Sequence, residues 1–291
     1  MTSIDLIAVC WTTGGDTVPL PGLDRSPEHL HDRIAAAADA GYTGFGILGQ
    51  DLSAYLDSGR TFGELRQRIN DAGIRYVELE FLTGWWLPDD EIPPGEAANT
   101  ELLLRASEEL RPYHVKTGPD ITGGEFHLEN YAERFHRVGQ AFAKAGTVLS
   151  MEFMPFANVS TLSHAVDLVR AADHPACGLM IDIWHLMRGS GTLDQLRTVP
   201  VDYITGVELD DGAAAQVGGG YEDTVLRRKL CGQGDFPITA FIQTIQDMGW
   251  IKPWGVEILS ETYRKRPIRE AIAESYSTTM ASFAEAARVT V

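Results

Sequence analysis

The chain is short of basic residues: 24 Lys and Arg stand against 41 Asp and Glu, a formal net charge of −17 over 291 residues. Phosphate backbones are gripped by basic surface, so this deficit argues against a nucleic-acid partner. It argues equally against docking on anionic membranes. Only three cysteines occur, Cys10, Cys177 and Cys231, far apart and without a CxxC pair. That pattern excludes a disulfide framework and points to a reducing compartment. No apolar run approaches the roughly 18 residues of a membrane-crossing helix. The opening residues, MTSIDLIAVCW, have no basic region ahead of their apolar stretch, so no secretory signal is expected. Together these absences predict a soluble, cytoplasmic protein whose acidity either attracts cations or simply keeps it in solution.

What is present is ample material for a core, with 44% hydrophobic residues. Eight short segments read as strands: Ile4 to Trp11, Tyr42 to Leu48, Ile74 to Leu82, Tyr113 to Thr117, Thr147 to Phe153, Cys177 to Asp182, Val201 to Leu209 and Trp254 to Leu259. Helical spacing fills most of the intervals. Ser26-Pro27-Glu28 carries the signals of a helix start, and Gly41 those of a stop. Two long loops are expected, Thr83 to Asn99 with its Trp85-Trp86 pair, and Asp210 to Asp235 with Gly218-Gly219-Gly220. The paired Trp reads as a pocket wall, a packing anchor or a subunit contact, and both loops as lids or surface loops. Strict βα alternation predicts a parallel sheet with helices outside. Eight units over this length fit a (β/α)8 TIM barrel, one domain over residues 1–291, better than a doubly wound sheet. No Gly-x-Gly-x-x-Gly follows the first strand.

In a barrel, the C-terminal strand ends converge on the catalytic face. Four late strands carry an acid there: Glu152 in SMEFMPF, Asp182 in GLMIDIWH, Glu208 in ITGVELDDG and Glu257 in WGVEILS. Asp182 alone reads equally well as the N-cap of a following helix, with His185 on its surface. Four converging carboxylates repel one another unless a cation holds them. Oxygen donors of this kind suit one hard divalent ion, Mn²⁺ or Mg²⁺, with Co²⁺ or Zn²⁺ as alternatives. His185, Arg188 and Arg228 fall beside the cluster as candidate substrate contacts.

The segments MEFMPF, DIWHLMRGSG, RKLCGQGDF and WGVEILS resemble the xylose isomerase-like TIM-barrel superfamily, the sugar phosphate isomerases and epimerases. The first 110 residues match it only in their βα rhythm. The resemblance implies that Glu152, Asp182 and Glu257 are metal ligands and that Glu152 and Glu257 are also the acid/base pair. It implies that His185 touches substrate and that Arg228 holds a substrate oxygen. There are two departures. Glu208 stands where the family has a fourth ligand His, or Gln in some dehydratases, and Cys231-Gly232-Gln233-Gly234 replaces a Pro-Gly-x-Gly.

The expected activity is metal-assisted isomerisation or epimerisation of a keto-sugar, sugar phosphate or related polyol through an enediolate. The alternatives are dehydration of a keto-polyol, as in inosose and dehydroshikimate dehydratases, and a non-catalytic barrel that has lost its metal. The superfamily's nuclease branch, with three zinc ions and a basic surface, is disfavoured by the −17 charge and only eight histidines. A homodimer is a further expectation, with Trp85, Trp86 and the last helix as candidate contacts.

Overall fold

Side chains alternate across a strand, so each strand here must satisfy two surroundings at once. In the computed structural model, which describes residues 4–20, 22–189 and 191–289, eight parallel strands close on themselves. They are β1 Leu6–Ala8, β2 Gly44–Leu48, β3 Tyr76–Leu82, β4 His114–Thr117, β5 Leu149–Glu152, β6 Cys177–Asp182, β7 Ile204–Leu209 and β8 Trp254–Val256. Each pairs with its sequence neighbours, and β1 with β8. The expected (β/α)8 TIM barrel is the fold observed. Among the described residues, no helix is long and apolar enough to cross a membrane.

One alternating set packs outward into the apolar layer under the helices: Val77 and Leu79, Val115, Leu149 and Met151, Leu179 and Ile181, Val207 and Leu209, and Val256. The other set faces the barrel interior, where Ile7 and Met180 are joined by an unusual number of polar groups. Deepest are Glu78, His114 and Ser150; His114 Nε2 lies 2.5 Å from Glu78 Oε2, and its Nδ1 lies 3.0 Å from the Thr205 carbonyl. Two residues further along the strands come Glu80, Lys116 and Glu152. The register sets Asp182 opposite Glu208 on β6 and β7, and Glu208 opposite Gly255 on β8. Gly255 is needed there, because a Cβ would stand 2.7 Å from Glu208 Cγ.

The elements depart from the sequence reading in several places. The first strand ends at Ala8 and Cys10–Thr13 turns helical. The seventh begins only at Ile204, after a 3-10 turn over Val201–Tyr203. Ser26 does not cap a helix; its hydroxyl donates to the Gly14 carbonyl at 2.7 Å, its amide donates to Asp51 Oδ1, and the helix starts at Leu30. A helix, Gly49–Asp57, follows β2 without a loop, and its Asp51 pairs with buried Arg33. The loop after β3 is shorter than expected, because Pro94 takes the first turn of a helix that runs to Leu110. The stretch from Asp210 to Asp235 holds a helix, Gly220–Leu226, and a two-stranded bridge between Asp211 and Lys229.

Close strand contact fixes the identity of Gly178 on β6. An added Cβ there would meet Thr205 Cγ2 at 2.2 Å and Oγ1 at 2.5 Å, and that hydroxyl bonds Ser150 at 2.7 Å. Gly178→Ala should destabilise the chain by about 1–3 kcal/mol in thermal or urea unfolding. Gly95→Ala, where a Cβ meets nothing within 4 Å inside a helix, should leave stability unchanged or raise it. Equal melting points for the two variants would contradict this packing.

Candidate active site

Six carboxyl groups gather at the C-terminal end of the barrel, each at most 3% exposed: Glu80, Glu152, Asp182, Glu208, Asp210 and Glu257. A buried carboxylate is costly unless paired, and two buried cations supply the pairing. Lys116 Nζ lies 2.6 Å from Glu257 Oε1, 2.9 Å from Glu208 Oε1, 3.4 Å from Glu80 Oε2 and 3.9 Å from Glu152 Oε2. Arg228 Nη1 lies 2.7 Å from Asp182 Oδ2 and 2.9 Å from Glu257 Oε2, and it also pairs with Asp210.

Backbone hydrogen bonds place Arg228. Its own amide donates to the Leu259 carbonyl past β8, while Lys229 exchanges two bonds with Asp211 past β7. The altered Cys231-Gly232-Gln233-Gly234 loop wraps the Asp211 carboxylate, which accepts from the amides of Gly212, Gly232, Gly234 and Phe236 at 2.8–3.0 Å.

Asp182 serves both purposes the sequence suggested for it. Its Oδ1 accepts the Trp184 amide at 2.7 Å, capping the helix Ile183–Arg188, and its Oδ2 faces Arg228. The short helix delivers His185 to the cluster, with Nε2 3.3 Å from Glu152 Oε1 and 3.7 Å from Asp182 Oδ2.

Arg188 turns elsewhere. Its Nε pairs with Asp223 at 2.9 Å, and the guanidinium stacks on Trp184 and Phe236, so it does not join the residues facing the cavity. Arg228 does line the cavity, yet its donors are spent on Asp182, Asp210, Glu257 and Thr224. It anchors acids instead of presenting a free guanidinium.

A cavity of about 1130 Å³ opens above this floor, slightly larger than the usual small-molecule pocket. Glu80, Lys116, Glu152, His185, Arg228 and Glu257 form its polar base, and Trp11, Phe81, Trp86, Phe156 and Tyr221 stand in its walls. Asp182 and Glu208 are not among its lining residues. The Trp pair divides the roles expected of it: Trp86 walls the cavity, while Trp85 is buried and donates to the Gly118 carbonyl at 2.9 Å. Trp85 is therefore an interior packing residue of this barrel.

Six acids against two cations leave a deficit of positive charge, and the protonation equilibria record it. Burial, reinforced by Glu257, pushes Glu208 well up, and burial likewise raises Asp210 and Glu257. Glu80 is pushed up to about 8 by burial, with Lys116 opposing and Glu78 and Glu257 adding to the rise. Glu152 goes the other way. Burial would raise it, but Lys116, the His185 hydrogen bond and Arg228 together hold it below the ordinary carboxylate range.

The donor set fits a divalent ion. Glu152, Asp182, Glu208 and Glu257 offer one oxygen each, all within 4.8 Å of one another. Glu208 meets Lys116 alone, and neither of its oxygens has a well-directed hydrogen bond among the described residues.

Sequence reasoning missed Lys116, Glu80 and Asp210. The first two left a trace. A lone Lys in the short strand YHVKT, and acids at alternate positions of YVELEFL, are what an inward polar face looks like.

Glu80 gives the site a pH signature. In chelator-treated protein, the folded chain holds this proton up to about 8, whereas the unfolded chain releases it near 4.5. Between those values the folded state binds more protons, so stability falls as pH rises. The melting temperature should therefore fall across that window, and fall less steeply in Glu80→Gln. Identical slopes would contradict the assignment.

A family model described as a xylose isomerase-like TIM barrel matches residues 34–278. The chain is 26% identical over 255 residues to a 3-dehydroshikimate dehydratase of Pseudomonas putida, covering 84% of this chain but only 38% of that protein. It is 21% identical over 283 residues to an inosose isomerase of Bacillus licheniformis, covering 93% of this chain and 89% of the other. A solved structure described as the IOLI protein with a bound zinc atom superposes with a TM-score of 0.84 at 18% identity, over 97% of this chain and 99% of its own. With the strand order, the acids at the strand ends and the matched span in agreement, the chain belongs to the xylose isomerase-like TIM-barrel family.

Proposed function

We propose that the chain is a divalent-metal-dependent isomerase or epimerase that moves a proton at a carbon next to the carbonyl of a keto-sugar, sugar phosphate or related polyol. The observation that carries this reading is the pairing of Glu152 and Glu257. Their carboxylates come within 4.8 Å of each other on the cavity floor and are shifted in opposite directions. Two titratable groups pushed apart by their surroundings mark an acceptor and a donor.

Glu152, Asp182, Glu208 and Glu257 would hold the ion, and an all-carboxylate set suits Mn²⁺ or Mg²⁺ better than zinc, which favours His and Cys. When bound, it supplies Lewis-acid polarisation of substrate oxygens. The remaining work falls to the chain. Glu152, kept ionised beside Lys116 and His185, accepts the proton from carbon. Glu257, facing it across the cavity floor, returns a proton on another carbon or face, and the reverse reaction exchanges the two roles. Lys116 and His185 face the cavity and meet the charge that develops on substrate oxygen. Arg228 holds Asp182 and Glu257 in position.

Dehydration is the second reading, favoured by the 26% and 24% identity to two 3-dehydroshikimate dehydratases. The same proton abstraction would then expel a neighbouring hydroxyl, which takes the Glu257 proton.

An NMR screen in D₂O against keto-sugars and keto-inositols separates these outcomes. Deuterium entering next to the carbonyl, with an isomeric product, supports the first reading. Loss of water in place of an isomer supports the second, and no exchange with any such compound contradicts both. Glu257→Gln should lower turnover by about 10²-fold or more with the circular dichroism spectrum unchanged. A fully active variant would remove Glu257 from the chemistry.

A further inference from the structure

Both oxygens of Glu257 are already taken: Oε1 by Lys116 at 2.6 Å and Oε2 by Arg228 at 2.9 Å. Among the described residues, the one ion-pair partner of Glu208 is that same Lys116, at 2.9 Å. A divalent ion needs its carboxylate oxygens at about 2.0–2.2 Å. It cannot bind Glu208 and Glu257 together while an ammonium occupies the space between them, since the two cations would share the same oxygens and repel. One cation has to yield.

Arg228 is poorly placed to do so. It is tied to Asp182, Asp210, Glu257 and Thr224, and its backbone is bonded to Leu259. Lys116 is different. Its ammonium ends a flexible four-carbon stem, and a third acid, Glu80, already lies 3.4 Å away on the cavity floor. Among the described residues Glu80 belongs to no candidate ligand set, and it is buried at 1% exposure with Lys116 as its ion-pair partner. It is an acid already within reach of the ammonium, placed to take it over from Glu208 and Glu257.

We infer that Lys116 is the displaceable counter-ion of this site: its ammonium and a divalent ion compete for Glu208 and Glu257, and ion binding moves the ammonium onto Glu80, against the substrate. The inference rests on reading these carboxylates as a metal site. It also accounts for Glu208. A carboxylate at that strand end adds one negative charge over a neutral side chain, and Lys116 balances it while no ion is bound.

The test is Mn²⁺ affinity, read from the electron paramagnetic resonance of free Mn²⁺ in titrations of the full chain, independently of turnover. Lys116→Met removes the competitor and should bind Mn²⁺ at least about tenfold more tightly than the parent. Glu80→Gln removes the receptor and should bind it more weakly. In the double variant the Glu80 effect should vanish, because no ammonium remains to be received. An unchanged or weakened affinity in folded Lys116→Met would overturn the inference. So would an unchanged affinity in Glu80→Gln, which tests it even if the lysine variant fails to fold. Equal binding by parent and variants refutes this inference alone. Absence of Mn²⁺ binding by parent and Lys116→Met, even at millimolar concentration, refutes the metal reading and this inference with it.

Discussion

Burying carboxyl groups against too few cations is the constraint on which the rest of this barrel depends. Six acids project into the upper barrel, and Lys116 and Arg228 are the cations set among them. A buried ion pair is seldom a net source of stability, because desolvation offsets its Coulomb attraction. Breaking one is nevertheless costly, so the surrounding fold has to hold each partner in place. Gly255 leaves room for Glu208, the Asp211 carboxylate ties down the loop after Arg228, and backbone bonds to the segments just past β7 and β8 fix that loop. The apolar layer outside the strands contributes the stability that the polar interior forgoes.

The same imbalance prepares the floor of the cavity for chemistry. A carboxylate fully paired with a cation is held below its ordinary range, and one buried without enough pairing is pushed above it. Here Glu152 is held ionised, while Glu257, Glu208 and Glu80 retain their protons to higher pH. A site of this kind accepts a proton at one carboxylate and holds another ready nearby, and it attracts an additional cation. The apolar walls of Trp86, Phe156 and Phe81 limit water above it, which strengthens each of these interactions.

Much of this was legible in the sequence, because periodicity reports what a strand faces. Alternating βα segments gave the barrel, and Glu152, Asp182, Glu208 and Glu257 stood out as acids ending apolar runs. The structure brings those four together. Less legible was anything that depends on where a long side chain points. Arg188 sits next to the motif in sequence, yet one helical turn carries it to Asp223 and an aromatic stack. Lys116 is remote in sequence, yet the closed barrel puts β4 across from β7 and β8. Ser26 carried the signals of a helix cap but was drawn to Gly14 and Asp51, a tertiary contact that no local pattern encodes. Asp182 satisfied two readings because a carboxylate has two oxygens.

The central claim is that these carboxylates hold one divalent ion in exchange for the Lys116 ammonium. Anomalous diffraction at the manganese edge, from crystals grown with Mn²⁺, tests it most directly. The account predicts one strong peak among Glu152, Asp182, Glu208 and Glu257, with Lys116 Nζ withdrawn from Glu208 and resting on Glu80. Well-ordered density with no peak there, and the ammonium still bridging Glu208 and Glu257, would contradict it.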